Sequence, residues 1–216
     1  MLNIQIFFYI IVMDIIYKAI VYIIQNNKSN HVPYHGIDHL YEVFNFAITI
    51  ASNQQHFYNE LINIEALSLA CLFHDFNHAG KMIDDNINIQ NAIKGFEDFI
   101  TQNLDFITNS ASNIDVEYVK YLIECTKFPS DLNKEDLTNE GKIIQDADMC
   151  YLFKPLSIVK LYSGLKDEFN QDLNTFLDGQ FKFFDSLKFN TEYCQNLWET
   201  DYHIRVNEVK QLRDAM

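Results

Sequence analysis

Three short stretches of the chain gather side chains that bind metals or move protons. HDFNH sets His74 beside Asp75 with His78 a helical turn on, YHGIDH spaces His35 and His39 four apart, and IIQDADM places Asp146 and Asp148 around Ala147. Imidazole and carboxylate together bind divalent ions such as zinc, iron, manganese or nickel, and a carboxylate can share an oxygen with a harder ion such as magnesium. A set of His39, His74, Asp75 and Asp148 would hold one ion, with Asp75 free to bridge to a second. Two ions would lower the pKa of a shared water and neutralise the charge that develops on a phosphoester. His35, one turn before His39, is placed to protonate a leaving oxygen as a general acid, and His78 to hydrogen-bond the attacking water or the phosphate. The i, i+4 histidines also suit a zinc-protease helix, but that motif needs Glu directly after the first His, and Gly36 stands there.

These residues must be carried by helices. With 18 Phe and 12 Tyr but only 6 Gly and 3 Pro, the chain lacks the punctuation that short strands and tight turns require. The expected order begins with a helix from about residue 4 to Gln25 and a polar linker to Pro33. A helix follows from Asp38 onward, with His39 in its first turn. Residues 64 to 77 read as a helix apolar nearly all round, hence a central one, with His74 and Asp75 at its C-terminal end, where buried polar groups need partners or a metal. Asn86 to Gln102 and Asp115 to Thr126 are the next helices, Asp84 and Asp85 opening the first of them. A charged surface excursion follows over residues 128 to 140, and then a helix from Gly141 to Phe153 that Pro155 closes. Leu156 to Phe169, Leu173 to Leu187 and Thr191 to Arg213 complete an all-α bundle of about eight or nine helices. Residues 1-216 read as a single domain, with an N-terminal helix (1-27), a metal-site core (34-153) and C-terminal helices (156-213).

Composition narrows the partners. The 30 acidic against 16 basic residues give a formal charge of −14, which repels nucleic-acid polymer and anionic lipid. A small phosphorylated substrate would then need local positive charge, and a bound metal ion is the simplest source. The four cysteines show no paired spacing, so neither a disulfide scaffold nor a zinc ribbon is indicated, and a reducing cytoplasm is the expected compartment. Residues 1 to 24 are rich in apolar side chains, but Asp14 and Lys18 interrupt the run and the unbroken portion from Ile6 to Met13 is far short of the ~20 residues of a span. A buried N-terminal helix is expected, with no membrane span.

The order of these motifs resembles that of the HD superfamily of metal-dependent phosphohydrolases. YHGIDHLYEV is similar to the YHNxxHAxxV segment of cyclic-nucleotide phosphodiesterases, HDFNHAG to their HDxDHxG, and DADM both to their metal-binding AD segment and to the DAD of small bacterial HD hydrolases. The resemblance implies an HD-domain helical bundle with one or two divalent ions (Zn, Mn, Fe, Ni or Mg). It implies His39, His74, Asp75 and Asp148 as ligands, His35 as proton donor, and a phosphohydrolase acting through a metal-activated hydroxide. Asp148 is preferred to Asp146 because it follows Ala147 as in the family, which leaves Asp146 to brace a ligand. GQFKFFDSL resembles the QxxF segment that holds a nucleotide base, with Gln180 reading its edge and Phe183 clamping it, and Lys81 is a candidate for steering phosphate. The family pattern has Asn where this chain has Ile83. DDNINIQNAI reads more like small prokaryotic HD proteins, so a 3′,5′-cyclic nucleotide and a 5′-mononucleotide both remain open as substrates. A catalytically silent HD module that binds nucleotide or metal and signals to a partner is the alternative of a different class. A third is a di-iron HD oxygenase, for which His78 would be an added ligand. Oligomeric state is not legible.

Overall fold

A computed structural model describes residues 2–109, 114–130, 132–154 and 157–215, with the side chains of residues 2–12 and of Ser157 left aside. Among these residues the regular structure is all helical, with no strand. Pro155 and Leu156, expected to close one helix and open another, lie outside the described residues.

The first helix, α1 (Leu2–Asn26), packs on α3 (Ile64–Phe73), as do α2 (Ile37–Tyr58) and α6 (Val116–Glu124), and α4 (Asp85–Gln102) and α7 (Asn139–Asp148) also lie against it. The central position follows from composition: from Glu65 to Phe73 every residue of α3 is buried. Around its C-terminal end an aromatic cluster forms. Phe73 meets Tyr22 of α1 at 6.1 Å between centroids, Phe96 and Phe99 of α4 at 5.5 and 5.3 Å, and Phe76 at 5.6 Å. A fully buried Phe of this kind contributes about 3–5 kcal/mol against alanine, so the end of α3 is fixed by its hydrophobic surroundings before any ligand chemistry begins.

The helix stops sooner than the apolar run suggests. It ends at Phe73, and residues 74–77 form a tight turn in which Phe76 N–H donates to Phe73 O. Asn77 takes the left-handed conformation (φ 58°) that terminates helices. Two further boundaries differ. α5 (Leu104–Asn109) follows α4 after a single residue, and the helix expected to run to Phe153 ends at Asp148, giving way to a 3-10 turn (Cys150–Phe153). The surface excursion contains a 3-10 turn at Lys134–Asp136.

The C-terminal third wraps the same end of the bundle. A short helix α8 (Ser157–Lys160) widens into a π turn (Leu161–Leu165) and resumes as α9 (Lys166–Glu168), followed by α10 (Leu173–Ser186) and α11 (Glu192–Asp214). Trp198 of α11 anchors this part against Phe189, Phe184 and Phe153 at 5.8, 5.7 and 6.5 Å. A methyl group on Gly164 would lie 3.1 Å from both Pro33 O and Tyr34 Cβ, so the π turn sits close enough to the 33–35 segment that any side chain there would press on it. Among the described residues no helix is long and apolar enough to cross a membrane.

Candidate metal centre

Three helix ends converge on one point. His39 comes from the first turn of α2, entered through the extended Gly36, where a Cβ would lie 2.4 Å from Val32 O. His74 and Asp75 follow the last residue of α3, and Asp148 is the last residue of α7. One ligand atom from each of the four lies within 4.8 Å of all the others. His39 Nε2 is 3.0 Å from Asp148 Oδ1 and 3.4 Å from Asp75 Oδ2, while His74 Nε2 is 3.1 Å from Asp75 Oδ2 and 3.4 Å from Asp148 Oδ1.

The two histidines are each 1% exposed, and their Nε2 atoms face each other at 3.4 Å. His74 Nδ1 donates to Cys71 O at 2.8 Å, which leaves its Nε2 lone pair for a ligand. Burial would lower the His74 pKa, but Asp75 and Asp148 raise it well above the ordinary value, so a proton competes with a cation for this place; as ligands the two imidazoles would be neutral, and with two carboxylates the donor set would carry charge −2. A divalent cation balances that charge and turns the facing lone pairs from repulsive to bonding. The residues therefore fit an ion. Burial alone would raise the Asp75 pKa, but His74 and His35 outweigh it and hold the carboxyl well below the usual range. Asp148, buried too, is depressed by its bonds to His39 and His74.

Next to the quartet stands a group that sequence reasoning found only in part. His35 Nδ1 lies 2.6 Å from Glu168 Oε2 of α9, and Glu168 Oε1 accepts the backbone N–H groups of Tyr34 and His35 at 2.5 and 3.1 Å. His78 stacks on His35 with centroids 3.8 Å apart, and its Nδ1 accepts Gly80 N–H at 3.1 Å. Burial would lower the His35 pKa, but Asp75 and Glu168 outweigh it and the net shift is upward. For His78 burial prevails and the shift is downward. The stacked pair is thus shifted in opposite directions, His35 towards holding a proton and His78 towards releasing one. Glu168 has no motif of its own: it lies 133 residues from His35 in a charged KDE run that reads as a solvated face.

The remaining candidates fall in two places. Lys81, Gln180 and Phe183 line one pocket together with His35, Asp75, His78 and Asp148. Asp146 is turned away from the quartet and buried. Its carboxylate accepts Asn190 N–H, the Asn190 side-chain amide, Thr191 N–H and Thr191 O–H at 2.7 to 3.1 Å, holding the start of α11 rather than any of the four ligand residues.

A family-model comparison agrees with this arrangement: the HD domain matches residues 36–151. A helical bundle with His and Asp gathered at three helix ends over that segment makes the chain a member of the HD-domain family. No curated protein matches the sequence closely enough to serve as a relative. In overall fold the chain is similar to the crystal structure of a predicted HD superfamily hydrolase from an uncultured Thermotogales bacterium, with a TM-score of 0.54 and 16% identity over 92% of this chain and 91% of that one. At such identity the likeness is one of fold.

Proposed function

We propose that this protein is a metal-dependent phosphohydrolase cleaving a phosphoester of a small nucleotide, a 3′,5′-cyclic nucleotide being one substrate its pocket would admit. The observation that carries the reading is the meeting of His39, His74, Asp75 and Asp148 within 4.8 Å, beside a histidine already paired to a carboxylate in the same pocket. A divalent ion held by the four would activate water and neutralise charge on the phosphoryl oxygens. His35 would protonate the leaving oxygen: Glu168 occupies its Nδ1, so Nε2 is the nitrogen left to face substrate, and the Glu168 carboxylate beside it favours the protonated ring. His78 would accept from the attacking water or donate to the phosphate. Lys81, the one lysine or arginine among the described residues lining the pocket, would draw the anionic substrate inward. Gln180 and Phe183 lie at the pocket wall where a base would rest.

The test is direct. Asp148→Asn should lower bound metal, measured by mass spectrometry of the purified protein, and cut manganese-supported hydrolysis of bis-p-nitrophenyl phosphate by at least about 100-fold. Unchanged metal content and rate would overturn the assignment. A wild-type protein with full metal that hydrolyses neither this diester, p-nitrophenyl phosphate nor a panel of mono-, di- and cyclic nucleotides would instead be a silent binding module.

A further inference from the structure

The linker between α1 and α2 turns buried polar side chains toward the turn that carries Asp75. Asn27 is 6% exposed and Ser29 2%, and buried amides and hydroxyls are costly unless matched. Asn77 N–H donates to Asn27 Oδ1 at 2.8 Å, and Lys28 N–H returns a bond to Asn77 Oδ1 at 2.7 Å. Ser29 Oγ lies 2.7 Å from Asn27 Oδ1 and 3.4 Å from Asp75 O, its one hydrogen available to either. Asn27 Nδ2 donates to Asn30 Oδ1 at 2.9 Å. The Asn27 side chain does not serve to cap α1: it is Asn30 Nδ2 that reaches Ile23 O and Ile24 O, both at 3.2 Å.

The far end of the same linker leads into YHGIDH. Ile37 N–H reaches back to Asn30 O at 3.5 Å, and Val32 O crowds Gly36. A Cβ on Gly80 would lie 2.9 Å from Val32 Cγ1, so the segment just past His78 rests on the linker too. His35 and His39 thus leave the linker at one end, while Asp75 and His78 stand on a turn pinned to its other end. His39 and His74 are 35 positions apart in the chain, and bonds from an ion to such ligands are about 2.0–2.2 Å long. The spacing between the two groups therefore has little slack, and the linker is where they are brought into register.

We infer that Asn27 is a positioning residue for the metal centre: with Ser29 and Asn77, its side-chain oxygen registers the turn bearing Asp75 and His78 against the linker bearing His35 and His39. Asn27 lies outside the segment that matches the HD domain, and none of the ligand motifs contains it. The inference rests on the reading above that the quartet holds a divalent ion, and it is independent of what is hydrolysed. Ion affinity and ligand arrangement then depend on a residue that touches neither ion nor substrate.

Cobalt(II) is the probe, because its visible absorption follows the number and arrangement of its ligands. In titrations of the metal-free protein, Asn27→Ala should weaken cobalt binding about tenfold and shift the visible bands. Asn27→Asp, which keeps an oxygen for Asn77 N–H, should recover the wild-type bands. Asp115→Ala removes the N-cap of α6 and measures a general loss of stability: it should lower the urea midpoint and leave cobalt affinity and bands as in the wild type. If Asn27→Ala does not fold, Asn77→Gly, which suits the left-handed turn and removes the acceptor for Lys28 N–H, should show the same loss. Wild-type affinity and bands in Asn27→Ala, or in Asn77→Gly where it stands in, overturn the positioning role, as does an equal change in Asp115→Ala; the hydrolase reading then stands. A wild-type protein that binds no cobalt overturns both. Asn27-dependent cobalt binding in a protein that hydrolyses no phosphoester leaves the positioning role standing and removes only the catalytic reading.

Discussion

Glu168 gives His35 what an isolated surface imidazole lacks: a fixed ring orientation and a reason to stay protonated in a buried place. Glu168→Ala should therefore lower kcat about 10- to 100-fold, with bound metal unchanged and KM moving little. Steady-state kinetics beside metal analysis would check this, and an equal loss of metal would mean that Glu168 only supports the fold. At this scale the sequence was informative wherever members of the cluster are near neighbours in the chain, as in HD and in the H-x-x-x-H that leads into α2. It was silent for Glu168, because a side chain whose only functional contact lies on a remote segment leaves no local trace. Asp146 and Asp148 could have been told apart on helical geometry alone. Residues two apart on a helix point roughly 200° from each other, so the pair could not face one ion, and the structure sends one to the quartet and the other to α11.

The elements that carry the site are held by polar clasps as much as by apolar faces. The Asp146 carboxylate receives donors from both Asn190 and Thr191 and so fastens the end of α7 to the start of α11. Removing it strands several buried donors, and Asp146→Ala should destabilise the protein by about 2–4 kcal/mol, read from the urea midpoint, while Asp146→Asn, which still accepts, should lose less. A midpoint unchanged in the alanine variant would show the clasp to be idle. Helix existence was legible from periodicity and boundaries less so. α3 ends four residues early because Asn77 adopts a left-handed conformation that no apolar pattern announces. α5 escaped notice because only Asn103 separates it from α4.

At the scale of the whole molecule, one carboxylate shared by two lysines joins α2 to the C-terminal third. Glu42 of α2 binds Lys160 of α8 at 2.6 Å and Lys154, just past the 3-10 turn, at 2.9 Å, tying the metal-bearing half to the C-terminal third. Burial would raise the Glu42 pKa, but the two lysines prevail and hold it below the ordinary 4.5. A carboxyl depressed on folding adds stability that is present above its unfolded value and lost as pH falls through the folded one. Glu42→Gln should thus cost about 0.5–1 kcal/mol at pH 7 and almost nothing near pH 3, as urea melts at the two pH values would reveal. An equal cost at both would assign the effect to packing.

The π turn at Leu161–Leu165 delivers Glu168 from beyond the segment that matches the family, and Gln180 and Phe183 also come from that tail. On the reading proposed above, all four metal ligands lie inside the matched segment, while part of the pocket wall that meets the ligand comes from beyond it. Swapping the tail for another would change that wall and leave the four-residue cluster underneath as it is.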